Sequence, residues 1–134
     1  MQENKQTQWK KRIDVLNLIY KDIMSENSKD VNFDIIKYAF EELNFSYEQM
    51  KVIENYVENK DKYKMKLISL LKPTWPYSRV NNLSKSIIFC AMSEWNSIKT
   101  DKSIIIDQSI KTCKIRGVIK DKNFIHAAID KLLI

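Results

Sequence analysis

Apolar residues fall three and four positions apart along nearly the whole chain, which is the spacing of one face of an α-helix. Ile13, Leu16, Tyr20 and Ile23, flanked by Leu18 and Ile19, predict a first helix from about Lys10 to Met24. The polar run SENSKD breaks it. A second helix is expected from about Phe33 to near Asn44, with Ile36, Ala39, Phe40 and Leu43 on one face. Ser46 followed three residues later by Gln49 is a capping-box signature, so a third helix should start there and carry Met50, Ile53, Tyr56 and Val57. The run NKDK separates it from a shorter fourth through Tyr63, Leu67, Leu70 and Leu71. KPTWPYS, residues 72–78, holds both prolines of the chain and is the main break. Beyond it, Ile87, Ile88, Ala91 and Trp95 mark a fifth helix. Thr100 is placed to cap a sixth with Ile105, Ser109 and Cys113, and Gly117 lies just past its end, where a left-handed residue is favoured. Asp121 then opens a seventh, with Phe124, Ile125, Ala128, Ile129 and Leu132 inward.

Composition supports an all-α chain, because one Gly and two Pro in 134 residues leave little material for tight β-turns. That length suits a single domain, here with sub-bundles of about residues 9–72 and 73–134 meeting at the proline segment. Cys90 and Cys113 sit in apolar helical patterns without metal-ligand spacing and are expected to be buried, reduced thiols of a cytoplasmic protein. No membrane-length apolar run and no signal-peptide core occurs, so no membrane association is expected.

The net charge of +6 is unevenly spread. Lys5, Lys10, Lys11 and Arg12 stand without an acid; residues 22–61 hold ten acids against four lysines; residues 66–134 hold twelve basic residues against five acids. A chain basic at both ends and acidic in the middle would present a polyanion-binding surface if the two ends fold to one side. Lys10, Lys11 and Arg12 also oppose the macrodipole of the helix they open, which a contact outside the helix would explain.

Candidate chemistry is sparse. A lone histidine, no glycine-rich phosphate loop and no nucleophile or zinc motif argue against an enzyme, and no cofactor or metal is expected. His126 reads as a surface or packing residue, and Glu41, Glu42, Glu54 and Glu58 as solvated acids. Cations interleaved with aromatic rings are more informative, because single-stranded RNA is held by charges at its phosphates and by flat groups under its bases. Trp9 to Arg12 with Tyr20, and Lys120, Lys122, Phe124 and Lys131, supply both types, although taken by themselves Tyr20 and Phe124 read first as core residues.

In order and spacing these features resemble the NusB family of bacterial transcription antitermination factors. KKRIDVLNLIY stands where the family has an Arg-rich stretch running into a helix with a Leu-Tyr pair; Trp75, Arg79 and SKSIIFCAMSEW match its central helix; IDQSIKTCK and NFIHAAIDK match its last two motifs. The resemblance covers residues 9 to 133 and implies an all-helical fold of two packed bundles, with activity in binding. It further implies partners: a single-stranded boxA-type RNA, NusE, and through them RNA polymerase, in antitermination and ribosomal RNA processing. Carried over by position, the RNA-binding residues are Lys10, Lys11, Arg12, Tyr20, Lys122, Asn123, Phe124 and Lys131. Ser84 and Lys120 replace family acids on the side that meets NusE, and His126-Ala127 replaces an Asn-Gly. The alternative is a helical protein-interaction module with this fold that has lost RNA.

Overall fold

A computed structural model describes residues 5–26 and 34–134. Its elements are α1 (Lys5–Glu26), α2 (Ile35–Glu41), α3 (Tyr47–Leu70), a 3-10 turn (Tyr77–Arg79), α4 (Asn82–Ser97), α5 (Lys102–Ile115), a second 3-10 turn (Ile119–Asp121) and α6 (Lys122–Leu132). The fold is all-α, as expected, with six helices among the described residues. The expected start of the second helix at Phe33, and residues 27–30 of the SENSKD break, lie outside them.

The two helices expected on either side of NKDK are one. Asn, Lys and Asp neither lack a backbone donor nor force a turn, and the buried positions Val52, Ile53, Tyr56, Tyr63 and Leu67 keep helical spacing across the run. The capping box forms as expected: Ser46 N donates to Gln49 Oε1 at 2.8 Å, and Gln49 N donates to Ser46 Oγ at 3.3 Å. The first helix begins at Lys5, earlier than expected, so Lys10 to Arg12 lie in its second turn rather than at its mouth. The second helix stops at Glu41 instead of near Asn44, where a φ of 51° turns the chain into the left-handed region. Phe40 and Leu43, assigned to a buried face, are 66% and 40% exposed, whereas Ala39 is buried as expected and Ile35 joins it.

Helix α4 is the hub, packed by α1, α3, α5 and α6. It is buried on almost every side from Ser84 to Glu94, so its polar members need internal partners. Ser86 and Ser93 donate back to the carbonyls of Asn82 and Phe89 at 2.7 and 2.8 Å. Ser84 Oγ donates to Asp121 Oδ2 at 2.8 Å, joining the starts of α4 and α6. Asp121 is thus at the N-cap of α6, as expected, but its carboxylate serves Ser84 and makes no side-chain cap bond. Asp101, not Thr100, is the N-cap residue of α5, because Thr100 turns its hydroxyl to Glu94. Gly117, with φ 79°, ends α5 as predicted; Val118 N donates to Cys113 O at 3.0 Å, the long bond of a Schellman turn.

Candidate nucleic-acid interface

Consecutive helical residues point roughly 100° apart, so Lys10, Lys11 and Arg12 cannot share a face. Lys10 is exposed. Lys11 lies on the α3 side, where its carbonyl accepts from Gln49 Nε2 at 3.1 Å and the residue lines a cavity of about 320 Å³ with Glu48, Gln49 and Thr100. Arg12 turns toward α4: its Nε donates to Glu94 Oε1 at 2.8 Å, and Thr100 Oγ1 donates to the same oxygen at 2.9 Å. Glu94 is 6% exposed, so this arginine neutralises a carboxylate that would otherwise be buried unpaired. The charge triplet that reads as one patch is three separate roles.

The side of α1 that meets α5 carries Trp9, Ile13 and Leu16. Lys111 Nζ of α5 stands 4.3 Å from the centre of the Trp9 ring, and Arg116, at the end of α5, donates from Nη1 to Asn17 Oδ1 at 2.8 Å. Tyr20 follows Asn17 by three residues and is half-buried. Neither Lys111 nor Arg116 stood out in the sequence, because each lies at the opposite end of the chain from its partner on α1. Their one-dimensional trace is the basic run Lys111, Lys114, Arg116 at the end of α5.

At the start of α6, Lys122 and Phe124 are half-buried and Asn123 is exposed. Phe124 rests against the core. With Lys120, Asp121, Lys72, Trp75 and Arg79 it lines a cleft of about 700 Å³ between the end of α3, the first 3-10 turn and α6. Trp75 is 55% exposed there. Ser84 is wholly buried beside it through Asp121, while Lys120 is exposed. Lys131 is exposed in the last turn of α6, the full length of the helix from Lys122, where the neighbouring Asp130 pairs with Lys102 at 3.1 Å. The structure therefore gathers Lys120 and Phe124 in one cleft and sets Lys122 and Asn123 at its edge. Lys10 and Tyr20 lie along α1, and Lys131 stands apart from both groups.

His126, Glu41, Glu42, Glu54 and Glu58 are exposed. Cys90 and Cys113 are free, and burial raises both thiols above their ordinary range. Lys85 lies 3.9 Å from the centre of the Tyr77 ring; burial and the nearby Lys64 charge lower its pKa. Among the described residues no group of three His, Cys, Asp or Glu is placed to hold a metal ion, and no helix is long and apolar enough to cross a membrane.

Residues 10–133 match the NusB family. The chain is 23% identical over 142 aligned positions to the uncharacterized protein MG027 of Mycoplasma genitalium, an alignment covering 97% of this chain and 94% of that one. It is 34% identical over 55 positions to the MG027 homolog of Mycoplasma pneumoniae, covering 41% of this chain and 33% of the relative. No solved structure matches.

Proposed function

The chain belongs to the NusB family, and from that premise we propose that it is a non-catalytic RNA-binding factor of the cytoplasm. It takes a single-stranded boxA-type RNA together with NusE, and through them serves RNA polymerase in antitermination and ribosomal RNA processing. The observation that carries the reading is the extent of the family match, residues 10–133, which takes in α1, the central helix and α6 together. In this reading Lys10 and Lys122 meet phosphates, Tyr20 and Phe124 offer rings to unstacked bases, and Asn123 hydrogen-bonds. Lys11 and Lys131 contribute charge at a distance. Arg12 acts from beneath, by holding α1 to α4. NusE docks at the Lys120 side of the cleft, with Ser84 fixing the shape of that side through Asp121.

The deciding experiment is binding of the purified protein to a short boxA-type single-stranded RNA, with and without NusE, over a salt series. Binding that tightens with NusE and falls steeply with salt is expected. Failure to bind the RNA under either condition overturns the proposal. Lys10→Glu should weaken binding without lowering the melting temperature, which separates a surface contact from a fold defect.

A further inference from the structure

We propose that helix α5 supplies the cations that the α1 triplet does not, so that the single-stranded RNA path runs along the α1–α5 seam over Lys10, Trp9, Lys111 and Arg116. This rests on the RNA-binding reading above and names where on the molecule it is carried out. Lys10 is the exposed member of the triplet and Lys11 and Arg12 are half-buried, so the triplet alone offers little to a phosphate chain. Lys111 brings an ammonium to within 4.3 Å of the Trp9 ring centre. That pairing sets the charge over the face of the half-buried indole, so a base stacks there when the ammonium swings aside to a phosphate, and one place supplies both elements that a splayed-out nucleotide requires. Arg116 has five N–H donors in a rigid fork, and the bond from Nη1 to Asn17 at 2.8 Å orients the fork over the middle of α1. Lys114, exposed between them in sequence, adds a third charge on the same helix.

Two of the acids on the neighbouring elements, Asp121 and Glu94, are engaged elsewhere. Asp14 of α1, one helical turn after Lys10, lines a cavity with Asn17, Lys21 and Tyr38 and so stays beside this surface. Asp121 accepts from Ser84. Glu94 is buried under Arg12. Asp107, one helical turn before Lys111, is the exposed acid on this part of α5. Lys10, Lys111, Lys114 and Arg116 are thus four cations against two acids, Asp14 and Asp107, a surplus suited to a polyanion. Past Arg116, the chain passes Gly117 and the second 3-10 turn to Lys120 and Lys122, so the basic surface leads toward the start of α6.

The test uses the full chain, with Lys111→Gln/Arg116→Gln compared with wild type and with the charge-conserving Lys111→Arg/Arg116→Lys. Each is titrated with the labelled, short boxA-type single-stranded RNA, with and without NusE, over a salt series. Loss of two phosphate contacts should make the plot of log affinity against log salt shallower by roughly 0.7 for each contact, with affinity reduced several-fold; the charge-conserving variant should keep the wild-type slope. Thermal melting of all three proteins checks that the fold is intact, as expected for residues near the surface. If wild type binds and the Gln variant matches it in affinity and slope, the α5 inference is overturned while the RNA-binding reading stands. If wild type itself binds no single-stranded RNA, the RNA-binding reading fails and takes this inference with it.

Discussion

The Nε–H of Arg12 points at a carboxylate that is only 6% exposed, so truncating this side chain removes a charge partner from the interior. Arg12→Ala should destabilise the protein by about 3 kcal/mol, at the lower end of the range for breaking a buried pair because Arg12 itself keeps some contact with water. Chemical denaturation measures it, and the Arg12→Ala/Glu94→Ala double variant should recover part of the loss. A fully additive pair would show that the two side chains do not interact. Tyr77 gives a second prediction. Burial first, and the Glu26 charge second, push its phenol from the ordinary 10.0 up to about 12. A folded-state pKa above the unfolded value means that stability is intact below pH 10 and falls as pH rises from 10 toward 12. Tyr77→Phe should flatten that alkaline fall in unfolding free energy, and an unchanged alkaline limb would contradict the assignment. Residue types were readable from sequence here, but their partners were not. Glu94 lies 82 positions from Arg12, and Arg116 lies 99 from Asn17.

At the scale of elements, α3 is where local pattern and tertiary packing disagreed. NKDK reads as a loop because it is polar, yet Asn and Asp cost a helix only up to about 0.7 kcal/mol each relative to Ala, far less than the roughly 3 kcal/mol of Pro, and Lys60 is held by its pairing with Asp22. Asp61→Pro should therefore lower stability by about 3 kcal/mol or more, followed by a thermal melt; tolerance of proline would mean that the helix is already broken there. By contrast, the Ser46 capping box and the Gly117 terminus are legible in the sequence alone, because each is decided by atoms within a few residues. Thr100 reads as a cap and is not one for the opposite reason: a carboxylate outside the local turn, that of Glu94, claims its hydroxyl.

For the whole molecule, one hydrophobic cluster includes Ile19 and Ile53 before the proline segment and Ile88, Ile105 and Ile129 after it. Since α4 packs against helices from both halves, the chain should unfold as one unit. Ile88→Ala, at a fully buried position of α4, should cost about 2–5 kcal/mol and move the tryptophan-fluorescence and circular-dichroism transitions together. Separate midpoints would instead identify two independently melting bundles. The sequence by itself determined the helical class, the proline break, the helix ends set by local caps, and a family resemblance strong enough to bring RNA into view, because periodicity, capping and motif order are properties of neighbouring residues. Only the tertiary structure decided what the charges do. Helical rotation sent Lys10, Lys11 and Arg12 to solvent, to the α3 side and to a buried carboxylate, while the packing of both α1 and α5 on α4 brought Lys111 over Trp9 and Arg116 beside Asn17. Charge runs are linear, whereas a binding face is assembled across helices that meet only after folding.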